Sequence, residues 1–169
     1  MCIRDRAYGV DAKPEAIARL AERHVNLVAV KESSGDARRV TAIAALCGER
    51  LDLCVGLDDM ALEGVAAGAR GWVAGLVNAL PEESAELLEL ALVGRAAHAR
   101  ELYRWFLPLL RMDTVPKFVQ LIKLAQEQVG RGSERVRPPR LPLDGAERAE
   151  ALAVIAQALA TRPAAEVVR

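Results

Sequence analysis

The fold is decided by a stretch in which a short apolar run passes directly into a polar loop: Asn26-Leu27-Val28-Ala29-Val30-Lys31-Glu32-Ser33-Ser34-Gly35-Asp36. A continuous apolar run of this length is typical of a strand that is buried on both faces, as the strands of parallel sheets are. A helix over residues 14–23 is predicted before this strand. After it, Asp36 can cap a second helix, predicted for residues 37–46.

The same pattern of strand, loop and helix repeats further along the chain. The loop after the second predicted strand is Gly56-Leu57-Asp58-Asp59, and Gly68 stops the helix that follows it. Alternating strands and helices with short loops predict parallel strands joined by crossover helices, an α/β fold with three βα units. The elements predicted in this part of the chain are a strand, a helix, a strand and a long helix, over residues 51–55, 60–67, 71–76 and 81–94.

After Gly94 the pattern predicts helices only. Apolar residues recur at helical spacing in three segments, which indicates three amphipathic helices packed as a cap beside the βα units. The residues on their apolar faces are Ala99, Leu102, Tyr103, Phe106 and Leu110 in the first helix, Phe118, Leu121, Ile122, Ala125 and Val129 in the second, and Leu152, Ile155, Ala156 and Leu159 in the third.

Composition excludes several classes of partner. The chain has 23 basic and 23 acidic side chains, so it lacks the surplus of positive charge with which proteins grip nucleic acid or an anionic membrane. Its apolar runs are shorter than the roughly 20 residues that a membrane-spanning helix needs. Three cysteines without a CxxC pair, and no histidine at metal spacing, argue against a disulfide framework, a zinc site or any other metal site. We therefore expect a cytoplasmic protein with no cofactor.

Lys31 is the most informative single residue. It directly follows a predicted buried strand, and the carboxyl ends of parallel strands carry the active site in α/β proteins. An ammonium group that is partly removed from water has its charged form disfavoured, and a neutral amine can form a Schiff base with a carbonyl compound. Lys31 is thus a candidate covalent catalyst. The alternative is that it reaches solvent or pairs with Glu32 or Asp36.

Three segments together resemble the dihydrodipicolinate synthase and N-acetylneuraminate lyase family of class I aldolases, which are (β/α)8 barrels. They are Val28 to Asp36, Val55 to Asp59 and Gly71-Trp72-Val73-Ala74-Gly75-Leu76-Val77-Asn78. The resemblance implies that the three predicted strands are the sixth, seventh and eighth of a barrel. Residues 7–94 would then be a partial TIM barrel and residues 95–169 a C-terminal helical cap, with Lys31 forming the Schiff base. Full-length members of the family are commonly homotetramers.

Within this family, finer details resemble the Δ1-pyrroline-4-hydroxy-2-carboxylate deaminases of hydroxyproline breakdown. The segments behind this similarity are Ala7 to Asp11, Lys31 to Asp36, Gly71 to Asn78 and Tyr103 to Leu110. The similarity implies that Lys31 attacks C2 of a cyclic imino acid, and that loss of the 4-hydroxyl, ring opening and hydrolysis release ammonia and 2,5-dioxopentanoate. The alternatives are a 4-hydroxy-tetrahydrodipicolinate synthase or another pyruvate-type aldolase, and a catalytically inactive truncated barrel.

The resemblance also implies substrate-binding residues. Asp58 and Asp59 match positions that bind substrate hydroxyls in the sialic-acid lyase branch, and Gly56 and Val73 match positions whose main chain faces the ligand. Gly75 belongs to the same set of expected substrate-binding residues. The alternatives are that the two aspartates only cap a helix, and that Gly56 serves only a tight turn.

The start of the chain departs from the family pattern. Residues 1–6 match nothing in the family and have no helical or strand periodicity, so we expect them to be a non-family leader created by assembly or gene calling. Tyr8 is not the family's proton-relay tyrosine. That residue, in a Tyr-Asn-X-Pro motif, and the Thr-Thr loop that binds the substrate carboxylate both lie upstream in the family. We therefore expect this chain alone to be inactive or poorly soluble.

Overall fold

The computed structural model describes the strand Cys2–Ile3 and residues 11–163. The chain divides into two compact units, Met1–Val73 and Ala74–Arg169. Within the described residues, the first unit contains the sheet and three α-helices, and the second contains four further α-helices. The sequence predicts a different boundary, at residue 94, where the predicted strands and their helices end.

The sheet of the first unit has four parallel strands within the described residues, and their order in the sheet is their order in the chain. Cys2 pairs with Lys31, Ala29 with Asp52, and Cys54 with Gly71. Parallel neighbours in sequence order are what short crossover helices produce, so the predicted α/β class is confirmed. The strands are β1 (Cys2–Ile3), β2 (Ala29–Glu32), β3 (Asp52–Val55) and β4 (Gly71–Trp72).

Two features of the sheet differ from the sequence prediction. Cys2–Ile3 forms a strand in the segment 1–6, for which the sequence indicated none, because a two-residue strand is too short to have a visible period. The third predicted strand, over residues 71–76, is a strand only at Gly71–Trp72 and passes into a 3-10 turn at Leu76–Asn78. The predictions about residues 4–10, including Tyr8, lie outside the described residues.

Three helices of the first unit connect the strands: α1 (Pro14–Arg23), α2 (Arg38–Cys47) and α3 (Ala61–Ala66). Pro14 opens α1, as the sequence indicated, because the first turn of a helix does not use the missing N–H group. The Asp36 carboxylate accepts the N–H of Arg38 at 3.1 Å, at the first residue of α2. Asp36 therefore caps α2 as predicted, although it lies one residue before the N-cap position.

Burial alternates along the two central strands. Val30 and Leu53 are buried in a cluster with Ile17 of α1 and Ile43 of α2, whereas Ala29 on β2 is only half-buried. The expectation of strands buried on both faces is therefore wrong for this chain. The helices α1 and α2 contribute to the core on one face of the sheet, and successive side chains of a strand point to opposite faces.

The second unit is helical, with α4 (Pro81–Leu92), α5 (Ala96–Leu110), α6 (Phe118–Gln128) and α7 (Gly145–Ala160). The apolar face predicted for α5 is confirmed, since all five of its residues are buried. The prediction holds in part for α6, where Ile122 and Ala125 are buried together with Leu124, which was not predicted, and for α7, where Ile155 is buried but Ala156 is exposed. The indole Nε1–H of Trp105 donates to the carbonyl of Ala158 at 3.0 Å and ties α5 to α7. None of the helices within residues 11–163 combines the length and the hydropathy that a membrane-spanning segment needs.

Candidate functional site

Strands β2 and β3 end at the same edge of the sheet and bring Lys31 beside the residues that follow β3. Lys31 pairs with Cys54, and Glu32 pairs with Val55, in parallel register. The N–H of Gly56 then donates to the carbonyl of Glu32 at 2.7 Å, which continues the pairing beyond β3. The Lys31 side chain is half-buried at this edge. Its position matches the sequence prediction of a lysine at the carboxyl end of a parallel strand.

Gly56 is a glycine because neighbouring atoms occupy the space of a side chain. A Cβ atom on Gly56 would lie 1.8 Å from Ser33 Oγ, 2.8 Å from the Glu32 carbonyl oxygen and 2.8 Å from Lys31 Cε. Its φ angle is not in the left-handed region, so the turn itself does not require glycine at this position. The close approach of residues 31–36, the lysine loop, therefore explains Gly56 better than the tight-turn alternative does.

Ser33 is a polar residue of this site that the sequence indicated only as part of the segment Lys31 to Asp36, with no role in the site assigned to it. Its side chain is 6% exposed, and its Oγ atom is buried without a hydrogen-bond partner in the structure. A Cβ atom on Gly56 would lie within 2.8 Å of both Ser33 Oγ and Lys31 Cε, so the hydroxyl and the lysine side chain are neighbours. A hydroxyl can both donate and accept a hydrogen bond, and a buried one is costly to leave unsatisfied. The signal in the sequence was a serine two residues after the lysine.

Asp58 and Asp59 lie in a 3-10 turn, Asp58–Met60, that follows β3. Asp58 is fully buried, and its Oδ1 atom accepts a hydrogen bond from Trp72 Nε1 at 3.2 Å. Asp59 is half-buried. The residues at the N-cap positions of the 3-10 turn and of α3, Leu57 and Met60, make no side-chain cap, and both aspartates lie in the first turn of the 3-10 turn. The Asp58 carboxylate joins the loop after β3 to β4.

The structure places the two remaining expected site residues in different units. Val73 follows β4 in the first unit, is 49% exposed, and donates its N–H to the Val55 carbonyl at 2.9 Å. Gly75 belongs to the second unit, where a Cβ atom would lie 2.4 Å from Asp113 Oδ1 and 2.6 Å from Ile122 Cδ1. The first unit thus brings together Lys31 and Gly56, whereas Gly75 is explained by its own neighbours.

Burial also affects the thiol that pairs with Lys31 across the sheet. It raises the pKa of Cys54 above its ordinary value, and the neighbouring Asp52 carboxylate raises that pKa further. Cys54 is therefore a protonated, weakly reactive thiol at neutral pH. Within the part of the chain that the structure describes, no group of three or more His, Cys, Asp or Glu side chains is arranged to hold a metal ion.

A family model and curated relatives both match this chain, and both point to the same family of proteins. The model of the Dihydrodipicolinate synthetase family matches residues 4–158. The chain is 33% identical over 151 residues to a 4-hydroxy-tetrahydrodipicolinate synthase of Geotalea daltonii, which covers 87% of the chain and 50% of that protein. It is 35% identical over 147 residues to the enzyme of the same name from Geobacter metallireducens, with the same coverage. The chain therefore spans about half the length of the curated relatives that it matches.

Solved structures of similar fold cover the chain almost completely. A putative dihydrodipicolinate synthetase from Pseudomonas aeruginosa matches with a TM-score of 0.84 and 27% identity, over 93% of this chain and 54% of that one. Dihydrodipicolinate synthase from Aquifex aeolicus matches with a TM-score of 0.79 and 26% identity, over 86% and 50% of the two chains.

Proposed function

The chain belongs to the dihydrodipicolinate synthetase family, and on this basis we propose that it carries the Schiff-base lysine of a lyase that acts on a small 2-oxo acid. Lys31 is the Schiff-base lysine, and the substrate of the lyase is a pyruvate-type 2-oxo acid. The family is one of Schiff-base lyases, and its curated relatives reported above carry the name 4-hydroxy-tetrahydrodipicolinate synthase. Since the chain spans half the length of these relatives, turnover is a property that we propose for the full-length protein.

One observation supports this proposal most directly: Lys31 is half-buried at the carboxyl ends of two parallel strands, where Gly56 leaves room beside it. A flexible lysine at the surface would need no glycine next to it. The carboxyl ends of parallel strands are where α/β proteins carry their active sites, so this amine lies where a substrate would bind. The site therefore has the arrangement that a covalent amine catalyst requires.

The covalent step follows from this arrangement. The Nζ nitrogen of Lys31 attacks the C2 carbonyl carbon of the 2-oxo acid, the nitrogen loses its protons, and the carbonyl oxygen leaves as water to give an imine. The buried Ser33 hydroxyl, beside the lysine, is a suitable donor to the oxygen atom as it becomes charged. The resemblance places the family's proton-relay tyrosine and carboxylate-binding loop upstream of the segments of this chain that match the family.

The relatives favour the synthase alternative over the deaminase that the sequence details suggested. Both curated relatives reported above are 4-hydroxy-tetrahydrodipicolinate synthases. The deaminase of hydroxyproline breakdown is therefore the second candidate, supported only by the sequence similarity of the four segments given above. The two candidates differ in their substrate, an open-chain 2-oxo acid or a cyclic imino acid, and the experiment below separates them.

The remaining residues and partners have the status of proposals. In addition to Gly56, Asp58, Asp59 and Val73 are proposed to contribute to substrate binding, and the role of Gly75 stays a prediction from the resemblance. Of these residues, Asp58 has the least support as a substrate-binding residue, because it is fully buried and hydrogen-bonded to Trp72. A homotetrameric state and a cytoplasmic location are expected for the full-length protein.

Reductive trapping tests the proposal. The chain is incubated with pyruvate and sodium borohydride, and each lysine is examined by peptide mass spectrometry. The chain has four lysines, so Lys13, Lys117 and Lys123 serve as internal controls for unspecific modification. We expect the adduct on Lys31 and not on the other three, because imine formation needs only the amine, whereas turnover also needs the groups that the resemblance places upstream of this chain. The chain with Lys31→Arg, which keeps the charge, should not be trapped.

The outcomes separate the candidates. Equal modification of all four lysines, or trapping of the Lys31→Arg chain at the wild-type rate, would overturn the assignment of Lys31 and favour an inactive barrel. A parallel incubation with Δ1-pyrroline-4-hydroxy-2-carboxylate distinguishes the two reactions. Trapping with this imino acid but not with pyruvate would favour the deaminase.

A further inference from the structure

Glu32 carries a buried carboxylate on the side of the sheet opposite to Lys31. Its side chain is 7% exposed, and it alternates with the half-buried Lys31 along β2. Successive side chains of a strand point to opposite faces, so Glu32 faces the side of the sheet on which Val30 joins the core of the first unit. A carboxylate is expensive to bury there unless it is paired. Glu32 directly follows the candidate catalytic lysine, so the groups that pair with its carboxylate also lie close to the site.

The Glu32 carboxylate closes the loop that starts at the lysine. Its Oε1 atom accepts the backbone N–H of Ser34 at 2.5 Å. The same residue accepts the N–H of Gly56 through its backbone carbonyl, at 2.7 Å. Ser33 lies between these two anchor points, so its backbone is fixed on both sides. The buried Ser33 hydroxyl is thereby kept over Gly56, next to the Lys31 side chain.

Arg39 lies beside the other oxygen of this carboxylate and forms an ion pair with it, without a hydrogen bond. The Nε atom of Arg39 lies 3.4 Å from Glu32 Oε2, and the arginine side chain is only 13% exposed. Its Nη1 donates to Asp11 Oδ1 at 2.5 Å, and its Nη2 donates to the carbonyl of Ala12. One guanidinium therefore connects the lysine loop, helix α2 and the segment that precedes α1. Planar, multidentate binding of this kind is a property of arginine that lysine does not reproduce.

We propose that Glu32 is a positioning residue for Lys31: its carboxylate, which accepts the Ser34 N–H and is ion-paired with Arg39, fixes the loop so that Ser33 Oγ stays beside the lysine side chain. Glu32 does not touch the reacting atoms and acts through Ser33. This inference rests on the proposed function, since it concerns the environment of the Schiff-base lysine. It adds to that function a residue and a network that the comparison with the family did not supply.

The first test measures the lysine without any substrate. Competitive acetylation with acetic anhydride, read by peptide mass spectrometry, gives the reactivity of Lys31 relative to Lys13, Lys117 and Lys123. The variant E32Q keeps the shape of the side chain and removes its charge. We expect E32Q to raise the relative acetylation of the half-buried Lys31 by about tenfold, because a released loop exposes the amine. The matched control is E49Q, which removes an exposed carboxylate paired with Arg70 at 3.0 Å, and it should change nothing.

The second test measures the loop itself. Hydrogen exchange at the Ser34 amide should become about tenfold faster in E32A, since that amide loses a charged acceptor. R39K, which keeps the positive charge but not the planar fork, should behave like E32Q in the acetylation experiment. All variants are compared under conditions in which circular dichroism and urea titration show them to be folded. Unchanged acetylation in E32Q together with unchanged Ser34 exchange in E32A would overturn the proposal.

Reductive trapping with pyruvate distinguishes failure of this inference from failure of the proposed function. If Lys31 is the Schiff-base residue, E32Q should lower the rate of trapping by about tenfold, since a displaced loop misaligns the reacting groups. A purely structural role would lower the urea midpoint but leave the trapping rate of the folded molecules unchanged, and this result counts against positioning. No trapping in the wild-type chain contradicts the proposed function, and the acetylation and exchange experiments then still decide the role of Glu32.

Discussion

The side chain of Lys31 passes so close to Gly56 that a Cβ atom on the glycine would lie 2.8 Å from Lys31 Cε. This contact joins the end of β2 to the loop after β3 and leaves the lysine only half-buried. Because the φ angle of Gly56 is an ordinary one, the contact and not the backbone conformation accounts for the glycine. The first prediction follows from this relationship.

Gly56→Ala should destabilise the first unit and slow the trapping of Lys31. The added methyl group would overlap Ser33 Oγ and the Glu32 carbonyl oxygen, at 1.8 and 2.8 Å, and backbone cannot move away as a side chain can. Overpacking of this kind costs about 1–3 kcal/mol, measured as a change in the free energy of unfolding in urea. The control is Gly71→Ala, whose methyl group would meet only the Cys54 side chain, at 3.0 Å from Sγ. A larger loss of stability in the control than in Gly56→Ala would contradict this explanation.

Ser33→Ala should separate function from stability. The variant removes a buried hydroxyl that has no partner in the structure, so its unfolding free energy should stay the same or rise by about 1 kcal/mol. The rate of reductive trapping at Lys31 should nevertheless fall by about tenfold or more, because the reacting oxygen loses a donor. In Ser34→Ala, by contrast, the oxygen that accepts the Asp36 N–H at 3.2 Å is lost, which should lower stability and leave trapping intact. Equal trapping in wild type and Ser33→Ala would rule out a role for the hydroxyl.

Trp72→Phe should cost more stability than the same substitution at Trp105. The indole of Trp72 donates to the fully buried carboxylate of Asp58, whereas the indole of Trp105 donates to the neutral carbonyl of Ala158. Loss of a hydrogen bond to a charged acceptor costs about 1.5–3 kcal/mol and loss of a neutral one about 0.5–1.5 kcal/mol. Urea titration of both variants measures the difference. Equal losses would mean that the carboxylate is satisfied by its other contacts.

Arg162→Ala should destabilise the second unit more than Arg131→Ala does. Arg162 pairs with Glu83, whose side chain is 7% exposed, while Arg131 pairs with Glu82, which is 57% exposed. Removing Arg162 leaves a buried carboxylate without its cation, which should lower the free energy of unfolding by about 1–3 kcal/mol. We expect the lower end of this range, because Arg162 is partly exposed. The surface pair should contribute little, because water screens the two exposed charges. Thermal or urea unfolding of the two variants compares them directly, and Glu83→Gln should rescue much of the loss in Arg162→Ala.

Alkylation of Cys54 should be slow at neutral pH and rise at alkaline pH. Burial and then Asp52 raise the pKa of this thiol in the folded chain above the unfolded value, so the folded state holds the proton more tightly. The corresponding stabilisation is fully present below the unfolded pKa and is lost as the pH rises through the raised pKa. Iodoacetamide labelling with mass spectrometry, in folded and in urea-unfolded chains, measures the effect. Asp52→Asn should lower the pKa of Cys54 and speed its labelling, and the opposite order would show that burial and charge have been assigned wrongly.

Much of the first unit could be predicted from local patterns. Helix α1 with its proline start, the strand before Lys31 and the helix after Asp36 are all encoded within short windows, because capping groups and apolar spacing act over a few residues. The third strand was predicted too long, since the apolar residues after Trp72 enter a 3-10 turn instead. A strand of two residues, Cys2–Ile3, is defined only by its neighbour in the sheet and has no pattern of its own.

The candidate site was predicted in part. Lys31 and Gly56 were expected and lie together in the first unit. No role was predicted for Ser33, because a serine in a polar loop is common and its burial depends on the neighbouring strand. Asp58 was expected to face a substrate or cap a helix, and its bond to Trp72 could not be anticipated from a separation of 14 residues. The substrate-binding roles of these residues stay predictions.

By itself, the sequence determined the order of strands and helices and the placement of a lysine at the carboxyl end of a strand. Both follow from periodicity and loop residues that act locally. Only the tertiary structure decided which groups surround that lysine: the glycine beneath it, the buried Ser33 hydroxyl, and the Glu32 carboxylate ion-paired with Arg39. The physical reason is that these contacts depend on the register between β2 and β3 and on the packing of α2. Neither register nor packing is encoded in any single stretch of the chain.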